Sequence, residues 1–385
     1  MIWQNFRNVF RRELDIIRHD RNIIIVLFLA PVAYALFLGT IFTKKVETDV
    51  PIIVVDNDHS ALSREFVRSL DSHQLIKVSD VSPDFVSARE NIISAKAQAI
   101  VYITNDFESD LKSGQAVDLP VYLNTARFLP SNDINKAVSE VALTMAAGIR
   151  LKYFLANGMS TDEARELVQP LTGDIRPLFN VTESYGDFLL PGLFILILQQ
   201  TLLFGLALSV ARDRETHSLK ILNDLAGGNA LTAVVGKGTP YFVLYASYTF
   251  FSLVVFFALF RLNVLGSISA LAALLIIFHV AIIGFAICIS SFFKQEIQAL
   301  QFLVFTSMPL FLLSGYSWPV WAMPWSLRQI TQLFPSTPLF QAFVRVTQMG
   351  AGWQHIWPDL LHLLILAVGW VALAQWRLKR LNRAS

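Results

Sequence analysis

Charged side chains are scarce in this 385-residue chain. Asp, Glu, Lys and Arg together make up 16% of it, against roughly a quarter in soluble domains, while hydrophobic residues make up 54%. Its formal charge of +2 is too balanced for a nucleic-acid-binding protein, which carries a basic face. Mean hydropathy is +0.51. The composition therefore excludes an ordinary soluble domain and indicates a membrane protein.

Cysteine and catalytic motifs are also nearly missing. The single cysteine, Cys288, lies inside an apolar run, so no intrachain disulfide can form and a packed, unreactive thiol is the favoured interpretation. The chain has neither Gly-x-Ser-x-Gly nor His-Glu-x-x-His. Its nearest phosphate-loop match, "VVGKG", has Leu231 where the first glycine belongs and Gly238 in place of Ser or Thr. These absences argue against an enzyme and against a nucleotide site on this chain.

Two groups of residues have side chains that could bind a metal, but a structural role explains each group better than a metal site does. They are Asp56, Asp58 and His59 in "VVDNDHS", and His355, Asp359 and His362 in "HIWPDLLH". The first group follows a strand-like run, where Asp favours a turn with Asx hydrogen bonds. The second has ligand spacing, but Pro358 disturbs the helix there. We therefore expect no metal and no cofactor on this chain.

Six apolar runs are candidates for membrane-spanning helices, since a bilayer core of roughly 30 Å needs about 20 apolar residues. They cover residues 23–42, 188–211, 240–260, 268–293, 300–313 and 362–376. Basic residues precede the first run, follow the second and the last, and lie between the fourth and fifth. With six spans all of these basic residues lie on one side, which the positive-inside rule makes the cytoplasm.

The predicted fold is an α-helical polytopic membrane protein with six transmembrane helices and an inserted α/β external domain. Its order is an interfacial amphipathic helix at 1–21, a first transmembrane helix at 22–43, an external (periplasmic) domain at 44–187, a five-span domain at 188–376 with a cytoplasmic segment at 212–228, and a basic cytoplasmic tail at 377–385. Both termini are then cytoplasmic. We expect the protein in the inner membrane of a bacterium.

The external domain has the pattern of an α/β fold. "VPIIVVD" and "AQAIVYI" are apolar runs of strand length, each followed by a polar, helix-like stretch, and "DLPVYLN" predicts a third strand. "NDINKAVSEVALTMAAGIRLKYFLANG" predicts a long amphipathic helix that ends at Asn157-Gly158.

A charged segment, "RDRETHSLKILND" at residues 212–224, follows the second apolar run. Leu219, Leu222 and Leu225 form an apolar stripe with Ile221 beside it, and Lys220 and Asp224 are spaced for a helical ion pair. We expect this stripe to meet lipid or another protein, because little cytoplasmic chain exists to bury it. The alternative is a solvated loop that only obeys the positive-inside rule.

The fifth run ends in residues that break helices. Pro309 removes a backbone donor, and Ser314-Gly315 can end the helix. Tyr316 and several tryptophans then supply an aromatic belt. Non-helical backbone at this depth requires cover from protein or a water-filled cavity. The alternative is an ordinary external loop with aromatic anchors.

Two stretches together resemble the ABC-2 type transporter permease family, in its subgroup with a large external domain between the first and second spans. They are "ARDRETHSLKILND" with Gly236-Lys237, and "LSGYSWPVWAMPWSLRQITQLFPSTPLFQAFVRV". The resemblance implies that Arg212, Asp213, Arg214, Glu215, Thr216, Leu219, Lys220 and Leu222 couple the chain to an ATPase. It also implies a re-entrant region after the fifth span, with Ser314, Gly315, Pro319, Met323, Pro324 and Pro335.

The charged segment departs from the family pattern Glu-x-Gly-(Thr/Ser)-Leu-Glu. His217 stands in place of the glycine, and Lys220 in place of the second acid. A proline usually found soon after is absent, and Ala226-Gly227-Gly228 stands there instead. These departures concern which ATPase the segment recognises.

No energy source is evident in the chain, since it has no nucleotide site and almost no ionisable residue in mid-span. His279 is the exception, and a hydrogen-bonded helix–helix contact is favoured over a proton relay. We therefore expect ATP and Mg on a separate ABC ATPase subunit, with a second permease chain, identical or related, as a further partner. An adaptor in the periplasm could meet the external domain. No nucleic-acid partner is expected.

Polar residues within the spans are the candidates for a substrate path. They are Gln199, Gln200, Gln298, Gln301, Thr306 and Ser307. Hydrogen bonding between helices is an equally good interpretation of them.

The chain is thus predicted to be the permease subunit of an exporter. Its cargo would be a hydrophobic or amphiphilic solute, either a drug-like compound (multidrug efflux) or a lipid-like molecule, taken from the cytoplasm or the inner leaflet. The alternative is a non-transporting membrane receptor or scaffold whose external domain binds a partner.

The six-span topology can be tested by cysteine labelling from outside the cell. We expect cysteines placed at Ser113 and Asn157 to react, because both positions lie in the external domain. Cysteines at Ser218 and Ser385 should not react, because both are cytoplasmic. Labelling of Ser218→Cys from outside would contradict both the topology and the coupling role of the charged segment.

Overall fold

Helices dominate the part of the chain that the computed structural model describes, which is residues 2–168, 176–181 and 183–384, without the side chains at 208, 209, 307 and 384. In chain order the helices are α1 Ile2–His19, α2 Arg21–Ile41, α3 Ala61–Asp71, α4 Phe85–Ile93, α5 Phe107–Lys112, α6 Phe128–Ala156, α7 Thr161–Val168, α8 Tyr185–Glu215, α9 Leu219–Leu225, α10 Ala230–Leu259, α11 Ile268–Ser290, α12 Glu296–Leu313, α13 Trp325–Thr331, α14 Ser336–Thr347 and α15 Trp353–Ala384. The strands are β1 Val50–Asp56, β2 Ile76–Ser82, β3 Ala99–Ile103 and β4 Val121–Leu123. The chain divides into one unit of Met1–Lys45 with Pro177–Ser385, and a second unit of Val46–Arg176.

Within those residues, six helices of the first unit are long and apolar enough to cross a membrane: α2, α8, α10, α11, α12 and α15. This confirms a mostly helical chain with six apolar helices, as a polytopic membrane protein requires. We number them spans 1 to 6. Short π-helical turns at Ile25–Leu29 and Ser252–Phe256 lie within spans 1 and 3.

Span 6 is longer than the sequence predicts. It begins at Trp353, runs through Pro358 and continues into the basic tail as far as Ala384. The expectation that Pro358 disturbs the helix is therefore wrong. Near the start of the helix, Arg345 donates to the His355 carbonyl at 2.8 Å and pairs with Asp359, so it binds the helix on both sides of Pro358.

Spans 2 and 4 form the centre of the first unit. About two thirds of each apolar window is buried, against less than a third for the other four spans. Span 4 packs closely on span 6, where a Cβ added at Gly284 would lie 2.9 Å from the Val371 backbone nitrogen. Only glycine allows the two backbones to approach this closely.

Helix α1 packs its apolar face on span 3 and on α9. Val9 and Ile17 are buried on that face, and a Cβ added at Gly236 of span 3 would lie 2.8 Å from the Val9 side chain. At the start of α1, Ile2 and Trp3 are exposed. The amphipathic pattern is thus explained partly by packing within the chain, and a position in the membrane interface stays a prediction.

The segment after span 5 begins at the expected break. Span 5 ends at Leu313, Ser314 hydrogen-bonds to the Phe311 carbonyl, and Gly315 has a φ of +90°, which favours glycine. Tyr316 then turns inward, donates to the Phe188 carbonyl and accepts the Gly192 N–H at 3.0 Å. A short 3₁₀ turn at Val320–Ala322 follows.

The other residues assigned to the re-entrant region lie on both sides of this turn. Pro319 precedes it, Met323 and Pro324 follow it, and Pro335 stands directly before α14. Much of α14 is buried, including Leu339 and Phe343, whereas Trp321 and Trp325 are exposed. Entry of this region into the membrane stays a prediction.

The second unit contains a four-stranded sheet in the order β2-β1-β3-β4, with β1 parallel to β2 and β3, and β4 antiparallel to β3. Ile52 and Val54 face a core shared with α3 and α6, and Ile53 and Val55 face a smaller core shared with α4. Both faces of the central strand are therefore covered, as in other α/β sheets. Its location outside the membrane stays a prediction.

The sequence predicts β1, β3, β4 and α6 but not β2. Strand β2 is an edge strand with mostly exposed side chains, so its sequence, "IKVSDVS", has no apolar run of strand length. The interpretation of Asp56 is confirmed: its carboxylate accepts the N–H groups of Asp58 and His59, each at 3.0 Å, as an Asx turn does.

We expect fragment 44–187, expressed alone, to fold and unfold cooperatively, because it contains a sheet with its own cores. Phe66→Ala should lower the free energy of unfolding by roughly 3–5 kcal/mol, since the Phe66 ring is buried. Thermal unfolding followed by circular dichroism measures both effects. The matched control is Val86→Ala, which removes an exposed side chain and should change stability by less than about 0.5 kcal/mol. A disordered fragment would show that this unit needs the rest of the protein.

Candidate functional site

The charged segment begins with four consecutive charged residues, Arg212 to Glu215, at the end of span 2. The first of them, Arg212, pairs with Asp20. Asp20 is the N-cap of span 1, where its carboxylate accepts the N–H groups of Asn22 and Ile23. This ion pair ties the end of span 2 to the start of span 1.

Asp213 belongs to a buried cluster of four charged residues. Lys237 of span 3 is fully buried and donates to Asp213 at 2.8 Å and to Glu13 of α1 at 2.7 Å. Arg12 also pairs with Asp213, and Tyr241 donates to Glu13 at 3.1 Å. Two positive and two negative charges balance, as a buried ionic cluster must.

Arg214 and Glu215 bind the turn between spans 4 and 5. Arg214 donates to the carbonyls of Ser291 at 2.7 Å and Phe293 at 2.6 Å, just beyond the end of span 4. The Glu215 carboxylate accepts the N–H of Glu296, the first residue of span 5, at 2.9 Å. A cation at a helix C-terminus and an anion at an N-terminus both interact favourably with the helix dipole.

Span 6 is bound further along the charged segment. Asn382, near the end of span 6, donates to Asn223 of α9 at 2.7 Å. Together with the preceding contacts, the charged segment therefore contacts all five of the other spans. It meets spans 1, 3 and 5 near their starts and spans 4 and 6 near their ends, which all lie on the same side of the first unit. In the sequence, Arg212 to Glu215 form one charged stretch. In the structure, each of these four residues contacts a different part of the first unit.

The apolar stripe of α9 is buried within the chain, so the expectation that it must meet lipid or another protein is wrong. Leu219 and Leu222 are 8% and 2% exposed and belong to the main core. The physical reason is α1, which packs against α9 and supplies the cover that the sequence seemed to lack. Ile221 is 57% exposed, and Lys220 beside it is exposed as well.

The turn before α9 has a left-handed residue at its centre. His217 has a φ of +55°, a conformation that favours glycine and that other residues adopt at some cost. Thr216 donates to the Arg212 carbonyl at 2.8 Å, and Ser218 donates to the Asp213 carboxylate at 2.8 Å. These bonds hold the chain reversal between span 2 and α9.

The candidate substrate-path residues lie in different surroundings. Gln199 is buried in span 2, where its side-chain oxygen accepts from Ser336 of α14 at 2.9 Å, a bond between helices. Gln200 is partly buried in the next position. Gln298 and Gln301 lie on the exposed face of span 5.

The two remaining path residues are also in span 5. Thr306 donates to its own helix at the Phe302 carbonyl, at 2.9 Å. The side chain of Ser307 lies outside the described residues. Of the described candidates, Gln199 is thus buried within the chain, whereas Gln298 and Gln301 are exposed on span 5.

Comparisons with known proteins agree with this architecture. The model of a family described as ABC-2 family transporter protein matches residues 21–376. The chain belongs to that family. It is similar to proteins named probable multidrug ABC transporter permease YbhR in Escherichia coli K12 and in E. coli O157:H7, each 25% identical over 382 residues, covering 96% of this chain and 98% of the relative.

Family membership makes this ABC-2 protein a membrane transporter subunit and not an enzyme. The family implies an ABC transporter, with a membrane and an ATPase partner. In the described part of the chain, no group of three His, Cys, Asp or Glu residues could hold a metal ion. Asp359 is paired with Arg345, and His362 interacts with the Gln332 carbonyl at 2.9 Å.

The interpretation of His279 is confirmed. It interacts with Thr249 of span 3 at 3.1 Å, a hydrogen bond between spans 3 and 4. Cys288 is a free, buried thiol, as expected.

Sequence reasoning missed three residues of the buried cluster: Arg12, Glu13 and Lys237. In the sequence, Arg12 is accounted for by the positive-inside rule alone, and Lys237 by that rule and by the Gly236-Lys237 match to the family. A signal did exist, because Glu13 falls between Val9 and Ile17 at four-residue spacing, on the apolar face of α1. An acid on an apolar helix face indicates a buried ion pair.

We expect Lys237→Ala to destabilise the first unit by roughly 3–5 kcal/mol, because it leaves two buried carboxylates with too few cations. Thermal unfolding of the full-length protein in detergent measures this loss. Combining Lys237→Met with Glu13→Gln should recover part of it, since one cation and one anion then remain. Lys220→Ala, at an exposed lysine, is the matched control and should leave stability unchanged. Equal losses in both lysine variants would contradict the role of the cluster.

Proposed function

We propose that this ABC-2 protein is the permease subunit of an exporter that moves a hydrophobic or amphiphilic solute out of the cytoplasm or inner leaflet. The observation that carries the proposal is the set of contacts made by the charged segment with the same end of the other five spans. A displacement of that segment would act on all of them together, which is what coupling to an external source of work requires. ATP and Mg are held by a separate ATPase subunit.

The exposed side of α9 is the proposed docking surface for the ATPase. Ile221 and Lys220 face outward there, while Leu219 and Leu222 fix α9 to the core from within. An exposed apolar side chain suits the core of a protein interface, and a charged neighbour suits its polar rim. Arg212 to Glu215 then act inside the permease, and their contacts pass the movement of α9 to the spans.

A second permease chain, identical or related, is proposed to cover span 5. That helix exposes Gln298 and Gln301 together with Phe305 and Met308 on one face. Exposed amides are unfavourable against lipid, and a facing helix would satisfy them. Such pairing would place Gln298 and Gln301, two of the candidate substrate-path residues, at the boundary between two chains.

Several finer features belong to the same proposal. The second unit is the external domain of the subgroup that carries one between spans 1 and 2, both termini are cytoplasmic, and the membrane is the bacterial inner membrane. The relatives carry the word multidrug in their names, which supports a drug-like or lipid-like cargo. An adaptor in the periplasm is a further candidate partner of the external domain.

The rival function is a non-transporting receptor or scaffold. It would need no ATPase, so copurification of an ATPase with the tagged chain separates the two. The contacts of the charged segment favour the transporter, because a scaffold has no use for one segment that binds all the spans.

Variants of the charged segment test the proposal in two ways. Ile221→Asp should weaken ATPase binding by at least about tenfold, since it removes an apolar contact worth roughly 1.5–3 kcal/mol. Arg214→Gln and Glu215→Gln should leave binding intact but lower substrate-stimulated ATP hydrolysis, because they release the turn between spans 4 and 5. Pull-down and hydrolysis by the reconstituted complex are the two measurements.

The matched control is His217→Gly, which should preserve both properties because glycine adopts the left-handed conformation without strain. Leu219→Asp and Leu222→Asp are unsuitable tests of docking, since both leucines are buried and the variants should fail to fold. Normal binding with Ile221→Asp would exclude α9 as the docking surface. Normal stimulation in Arg214→Gln and Glu215→Gln would exclude their coupling role.

A further inference from the structure

A charged cavity of about 730 Å³ lies between α1, the start of span 1 and the end of span 2. Its lining includes Arg21, the first residue of span 1, and Arg212, near the end of span 2. The cavity therefore lies where two spans leave the apolar core of the membrane, at the level of the lipid headgroups.

Most of the charged side chains that line this cavity are paired with one another. Arg12 pairs with Asp213, and Arg212 pairs with Asp20. Two further charges line it, the exposed Asp15 and Arg21. Among the described residues neither of them forms an ion pair. The cavity thus offers one free carboxylate and one free guanidinium.

An apolar surface continues from the cavity along span 1. Ile24, Ile25 and Phe28 follow Arg21 within two turns and are exposed. Ile16 of α1 also lines the cavity. A ligand with a polar, doubly charged end and an apolar remainder would match both parts.

We propose that this cavity binds the headgroup of a zwitterionic phospholipid that carries a primary ammonium. Arg21 would bind the phosphate as a guanidinium does elsewhere, and Asp15 would accept from the ammonium. The acyl chains would lie along the exposed apolar face of span 1. An anionic phospholipid without an ammonium fits less well, because Asp15 would repel it and would remain unpaired.

This inference requires only that the spans lie in a membrane, so it does not depend on the proposed export. Lipid binding would tie α1 to span 1 beside the Arg212–Asp20 ion pair. It would therefore stabilise the packing of the start of span 1 on the charged segment.

Delipidated full-length protein, titrated with defined phospholipids and observed by native mass spectrometry, tests the inference. Phosphatidylethanolamine should be retained more strongly than phosphatidylglycerol, which lacks the ammonium. It should also exceed phosphatidylcholine, whose quaternary ammonium cannot donate a hydrogen bond to Asp15. Glycerophosphoethanolamine, the same headgroup without acyl chains, should fail to compete, because the apolar contacts are part of the site.

Two variants separate the contributions of the two side chains. Asp15→Asn should lower phosphatidylethanolamine retention roughly tenfold, the loss of one charge-assisted hydrogen bond, and abolish the preference over phosphatidylglycerol. Arg21→Gln should lower retention of both lipids. The matched control is Arg11→Gln, at an exposed arginine of α1 outside the cavity lining, which should change neither.

Equal retention of phosphatidylethanolamine and phosphatidylglycerol by the unaltered protein would overturn the inference. The inference would also be overturned if the Asp15→Asn variant kept the preference for phosphatidylethanolamine over phosphatidylglycerol. Competition by glycerophosphoethanolamine would show a site for a soluble phosphoester rather than for a lipid.

Discussion

The fully buried ammonium of Lys237 is the constraint on which much of the first unit depends. An unpaired charge at that depth would cost several kcal/mol, so Glu13 and Asp213 must both stay within hydrogen-bond distance. Glu13 brings α1 onto span 3, and Asp213 brings the end of span 2 to the same point. Once α1 is held there, it covers Leu219 and Leu222, and the short helix α9 gains a core that it could not form alone.

The contacts of the charged segment differ in strength and therefore in how they can move. The Lys237 cluster is buried, and separating it would expose charges to an apolar surrounding, so it acts as a fixed point. The contacts of Arg214 and Glu215 are with backbone groups at the ends of spans 4 and 5, and those of Glu215 are exposed to solvent. Water can replace such bonds at small cost. The contacts to the turn between spans 4 and 5 are thus easier to break than those that hold spans 1 to 3 together.

The sequence predicted the features that repeat along the chain and missed those that depend on distant partners. Apolar runs place the six spans, and strand-length runs place β1 and β3, because burial imposes a pattern on neighbouring residues. Strand β2 was missed because its side chains are mostly exposed at a sheet edge. The partners of Asp213, at positions 12 and 237, leave no periodic trace near Asp213 itself. The segment was therefore recognised as charged and helical, but its internal role could not be predicted.

Two of the departures from the family pattern, His217 and Lys220, can be explained by their positions on the charged segment. His217 replaces the expected glycine but keeps the left-handed backbone that glycine would supply, with a φ of +55°. The turn is thus the same although the residue differs. Lys220, in place of the expected acid, is exposed on the side of α9 opposite the buried leucines. It changes the charge that a partner would meet and none of the contacts to the spans. His217 and Lys220 are both exposed, so these two departures lie on the outer surface of the segment, where the proposed ATPase would bind, and not among its contacts to the spans.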